Sequence, residues 1–110
     1  MAAGDRLGRI VFQNAEQRHQ EISVDLIFTG PQPKAGIEYY GVWQDHQTDT
    51  RCPFTLSPDG QVDFGTGYDA SDRYYETDLL QKEMSIGQRI NWAYGDDTAE
   101  YIVVSMTPLI

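Results

Sequence analysis

The stretch "ISVDLIF" (Ile22–Phe28) decides the fold class. Ile22, Val24, Leu26 and Phe28 occupy alternate positions and share one side of an extended chain, while Ser23, Asp25 and Ile27 take the other. A period of two with one apolar face marks a half-buried β-strand. The next segment, "TGPQPKAG" (residues 29–36), carries two prolines and two glycines and turns the chain. "IEYYGVW" (37–43) then resumes the alternation, with Ile37, Tyr39 and Trp43 opposite Glu38, Tyr40 and Val42. Gly41 inside that run signals a bulge or a close backbone approach.

The same pattern recurs downstream. "TRCPFTL" (50–56) is a short strand that Pro53 assigns to an edge or a bulge. "SPDG" (57–60) is the strongest turn signal in the chain. Pro58 presets the first turn dihedral and Gly60 accepts a left-handed conformation, which predicts a type I turn with a bulge. "QVDF" returns as its partner strand. After the polar loop "GTGYDASD" (65–72), "RYYET" is a further strand, and "TDLLQKEM" (77–84) is the one helix candidate, with Thr77 as its cap. "QRINWAY" (88–94) alternates again. "AEYIVVSM" (99–106) is apolar on both sides, which predicts a central strand covered on both faces.

About seven short strands with turns between them predict an all-β, mainly antiparallel fold. The expectation is a small barrel or sandwich over residues 1–110, a single domain by length, with at most one short helix near 77–84.

Composition bounds the function. Charged residues make up 23% and hydrophobic residues 40%, as in a folded domain rather than a disordered one. No apolar run approaches the length of a membrane span, and "MAAGDRLGRI" lacks the apolar region of a secretory signal, so the cytoplasm is the expected compartment. Cys52 is the single cysteine, so neither an internal disulfide nor a cysteine-paired zinc knuckle is expected. The net charge is −9 at pH 7. An acidic chain repels phosphate backbones, which argues against direct nucleic-acid binding and favours a basic protein partner.

"AYGDDTA" (93–99) contains Tyr-Gly-Asp-Asp, the tetrapeptide of RNA-dependent polymerase hairpins. Two-metal phosphoryl transfer needs further carboxylates, basic residues for a triphosphate and a substrate cleft. The chain has two lysines, Lys34 and Lys82, and room for one core. The segment is therefore read as a hairpin turn. No catalytic residue, cofactor or metal site is assigned. "DASDRYYETD" lacks the glycine and spacing of a calcium loop. His19, His46 and Cys52 are a thin supply of zinc ligands. No Gly-x-Ser-x-Gly elbow or phosphate loop is present.

Two constellations remain. From Asp59 to Asp78, six acids stand against Arg73, with tyrosines interleaved. Asp63, Tyr68, Asp69, Asp72, Tyr74, Tyr75, Glu76 and Asp78 are the candidate contact residues for a basic partner, as in an inhibitor or immunity-type protein without enzymatic activity. Tyrosine brings area at low entropy cost, and the acids would steer encounter. In the doublets Tyr39-Tyr40 and Tyr74-Tyr75, one ring faces inward and one outward. The alternative is a small-ligand-binding barrel, with Tyr39, Trp43, Trp92 and Tyr94 lining a cavity. A third is a homo-oligomeric structural domain whose exposed strands pair across a dimer axis, 99–106 mattering most if it lies at an edge rather than centrally.

Overall fold

The computed structural model describes residues 4–110, except for the side chains of Ala70 and Ser71. Alternation at Ile22–Phe28 builds β2 (Gln20–Thr29), whose even-numbered apolar residues are buried. The later strands are β3 (Gln32–Pro33), β4 (Tyr39–Asp45), β5 (Thr50–Leu56), β6 (Gln61–Asp63), β7 (Tyr74–Thr77), β8 (Arg89–Tyr94) and β9 (Asp97–Pro108). All pairings are antiparallel.

The first strand, β1 (Asp5–Asn14), settles barrel against sandwich. It pairs with β2 on one side and with β9 on the other, so the sheet closes on itself. The result is an eight-stranded antiparallel barrel, with β3 a short addition beside the end of β2. The sequence reading assigned no strand upstream of Ile22, because arginines and glycines at Arg6, Gly8 and Arg9 dilute the apolar run. In the structure Arg9 faces outward and Arg6 is exposed at the start of the strand, while Ile10, Phe12 and Asn14 point inward. Closure removes the open sheet edges that would otherwise pair with other chains.

Three further expectations are corrected. β9 is flanked by β8 and β1, but it has no second layer over its outer face among the described residues, and Val104 is exposed. A register shift opposite Val11/Phe12 changes its phase, so that Met106 sits opposite the inward-facing Ile10. The 77–84 segment forms only a 3₁₀ turn at Leu79–Gln81, because its apolar residues serve as a plug rather than a helix face. The loop at 65–72 ends in a single helical turn, α1 (Ala70–Arg73).

The core runs along the barrel interior, from Phe12, Ile22, Trp92 and Tyr101 toward one end to a plug at the other. Leu26, Leu56, Leu79, Met84 and Ile90 are buried there, and the Met84 amide bonds to the Pro31 carbonyl at 2.8 Å, tying the plug to the chain beyond β2. Gly41 lies in contact with the Phe54 ring, the close approach its position in a strand implied. The 57–60 turn has Gly60 at φ +91° with its amide bonded to the Ser57 carbonyl, a type I turn closed by a bulge.

Candidate functional site

With Leu79 and Met84 blocking one end, the outermost inward residues of the opposite end, among them Trp43, Cys52, Tyr75 and Tyr94, are only partly covered. A cavity of about 420 Å³ opens there. It lies where β1, β4, β6 and β8 finish and β2, β5, β7 and β9 begin. Strand parity supplies its walls. Trp43 enters from β4, Cys52 from β5, Tyr75 from β7, Trp92 and Tyr94 from β8, and Ala99 and Tyr101 from β9. Phe64 and Tyr68 come from the loop after β6.

The rings form one connected cluster. Tyr75 stacks at a tilt on Tyr94, with centroids 5.0 Å apart, and meets Phe64 edge-on at 5.2 Å. Trp92 continues it to Tyr101 at 6.0 Å and to the buried Phe54 at 5.4 Å. Such offset and edge contacts are the arrangements that ring quadrupoles favour.

The polar groups at the bottom of the cavity are satisfied by one another. Trp43 Nε1 donates to Tyr101 Oη at 3.0 Å, and the Tyr101 hydroxyl lies 3.5 Å from Gln20 Oε1. Gln20 Oε1 also accepts from Asn14 Nδ2 at 3.1 Å, and Asn14 Oδ1 caps the amides of Glu16 and Gln17. Burial pushes the Tyr101 phenol up from its ordinary range, opposed by the Trp43 bond. Burial likewise pushes Tyr75 up, reinforced by Tyr94 and Asp72. Both phenols therefore stay neutral at physiological pH.

A flap crosses the mouth. Residues 64–73 leave β6 and return to β7, and the base is clamped by Arg73, whose Nε and Nη2 bond Asp63 Oδ1 and Oδ2 at 2.7 and 3.0 Å. The Phe64 amide bonds to the Arg73 carbonyl at 2.9 Å. Tyr68 leans from the flap toward β5, with its hydroxyl 3.4 Å from Cys52 Sγ. That bond, with the negative charge of any Cys52 thiolate, raises the Tyr68 phenol. Asp72 accepts a long 3.4 Å bond from the Tyr94 hydroxyl.

The Tyr-Gly-Asp-Asp segment also stands at this rim. Tyr94 pairs with Asp97, so the loop is two residues, Gly95 and Asp96. Gly95 takes φ +56°, the left-handed first position of a tight hairpin turn. The turn presents Tyr94 and Asp97 to the cavity.

The sequence-predicted contact residues separate into three places. Tyr68, Asp72 and Tyr75 line the cavity. Asp63 is engaged by Arg73 at the flap base, Tyr74 lies outside under that guanidinium at 4.8 Å, and Asp69 and Glu76 are exposed. Asp78 is at the plugged end, accepting from the Asn91 amide at 2.8 Å. Of the predicted pocket residues, Trp43, Trp92 and Tyr94 converge, whereas Tyr39 lies at the plugged half, donating to the Lys34 carbonyl at 2.6 Å. Sequence reasoning missed Gln20, Cys52, Phe64, Asp97 and Tyr101 as lining residues. The available signal was inward parity close to one common end of the strands.

His19 and His46 sit on the outer loops, paired with Asp45 at 2.9 Å and Glu21 at 3.2 Å respectively. Among the described residues, no group of three His, Cys, Asp or Glu side chains is placed to hold a metal ion. No helix among them is long and apolar enough to cross a membrane. No family model, curated protein or solved structure matches this chain significantly.

Proposed function

We propose that this protein is a small-ligand-binding β-barrel whose site is the ring-lined mouth. One observation carries the reading: a cavity of about 420 Å³ walled by the rings of Trp43, Trp92, Tyr75, Tyr94 and Tyr101, at the end of the barrel opposite Leu79 and Met84. Pockets for small molecules are concave, mostly apolar and equipped with a few polar groups, and barrel mouths are a recurrent place for them. The volume falls within the roughly 300–1,000 Å³ range of such sites.

The rival reading, a non-enzymatic inhibitor or immunity-type module that engages a basic protein partner, draws on the net charge of −9 and on the exposed Tyr74, Asp69 and Glu76. It has fewer free groups than the sequence suggested, since Tyr75 faces the interior and Asp63 is held by Arg73.

A library of neutral aromatic fragments, screened by amide and indole NMR signals, tests the proposal. Binders should move the indole N–H resonances of Trp43 and Trp92 saturably. A library whose hits move only Tyr74, Glu76 and their neighbours, or which yields no hit, overturns the pocket reading.

A further inference from the structure

The chemistry of the cavity wall specifies a class of ligand. Among the described residues, Asp72 and Asp97 line the mouth, and no Lys, Arg or His side chain does. The floor polar groups are consumed by the Trp43–Tyr101–Gln20–Asn14 chain, so they offer few free donors to an anion. The Asp72 carboxylate has only the 3.4 Å contact from Tyr94, and Asp97 is exposed with no side-chain partner among the described residues. The same cavity is lined by the indoles and phenols of Trp43, Trp92, Tyr75 and Tyr94.

A ring presents its negative face to a cation, and the attraction grows when both are drawn out of water. Carboxylates at the entrance add a field of the same sign, and the low-dielectric walls focus it inward. The net charge of −9 extends that potential beyond the mouth. From these observations together we infer that the mouth binds a small organic cation of the ammonium type, with its apolar body against the rings and its charge facing Asp72 and Asp97. This inference rests on the pocket reading and narrows it to one ligand class. Anions meet the opposite potential and find no basic side chain.

The test uses the full chain and two ammonium probes, choline and benzyltrimethylammonium. The uncharged carbon isostere of choline, 3,3-dimethylbutan-1-ol, is the control. Both ammonium probes should move the Trp43 and Trp92 indole signals saturably, and the isostere should bind more weakly than choline. Added salt should weaken the ammonium probes and leave the isostere unchanged. Asp97→Asn, at an exposed position without a partner, should lower choline affinity about threefold, and Asp72→Asn/Asp97→Asn about tenfold, with the isostere unaffected. Equal binding of choline and its isostere, or variants that leave choline untouched, overturns the cation assignment. So does silence of both indoles to both ammonium probes. The neutral-fragment screen distinguishes the two failures. If neutral fragments still move the indoles, the pocket stands and only the charge preference falls.

Discussion

Trp43 and Tyr101, on strands β4 and β9 across the barrel, are joined by a 3.0 Å hydrogen bond from the indole Nε1 to the phenolic oxygen. The bond sits at the floor of the cavity, where Tyr101 is almost wholly buried. It makes one hydroxyl both the acceptor for Trp43 and a link toward Gln20. A pocket wall drawn from separate strands keeps its shape only if such cross-barrel ties hold.

Tyr101→Phe should therefore destabilise the barrel by about 1–2 kcal/mol, since it removes one bond and leaves the Trp43 N–H without its acceptor. Urea unfolding should report a lower midpoint with an unchanged slope, and the Trp43 indole resonance should shift. An unchanged midpoint would show that the bond carries no net stability.

Gly41→Ala should cost about 1–3 kcal/mol by overpacking. A Cβ there would meet the Phe54 ring and the Ser23 carbonyl oxygen at 2.7 Å, and backbone cannot retreat as a flexible side chain can. Gly67→Ala is the contrast. Nothing lies within 4 Å of its Cβ position, so stability should hold or rise by up to about 1 kcal/mol. Thermal melts of the two variants beside the parent chain decide the matter.

The flap should loosen in acid. The Arg73 guanidinium, with help from the Gly65 amide, holds the Asp63 carboxyl below its ordinary value of 3.8. A depressed folded value means the clamp is fully present above 3.8 and is lost as pH falls from there through the folded value. Amide exchange across residues 65–72 should rise in that window, ahead of exchange in β2 and β9. Asp63→Asn should reproduce the loosening at neutral pH. Flap and barrel amides that respond in step would reject the clamp.

At the alkaline end, Tyr39, Tyr75 and Tyr101 should ionise only above the ordinary phenol value. Burial is the leading cause that raises each of the three above the ordinary value of 10.0. The folded state holds these phenols neutral, so their contribution is complete below 10.0 and disappears as pH rises through the raised values. Ring NMR signals of these three should titrate only above 10.0, with unfolding accompanying the change. Titration centred on the ordinary value would contradict the burial of these rings.

Much of the barrel was legible in the chain. The alternation at Ile22–Phe28, the Ser57–Gly60 turn and the inward and outward members of the two tyrosine doublets all follow from a side-chain period of two. β1 was less legible, because Arg9 on its outer face, and Arg6 and Gly8 at the inward positions of its first half, leave little apolar contrast. The site was harder still. Tyr39 and Trp43 have the same parity on one strand, yet Tyr39 anchors the plugged half while Trp43 faces the cavity. Parity names the face of a sheet but says nothing of depth along the barrel.

Local patterning by itself determined an antiparallel, all-strand chain, with its turns and the sidedness of its rings, because these depend on residues a few positions apart. Tertiary structure alone decided that β1 would close the sheet, that Leu79 and Met84 would fill one end, and that Asp97 would join Asp72 at the other. Those outcomes depend on which strands become neighbours and on how far each residue lies from a common rim. Both are set by packing between segments distant in sequence.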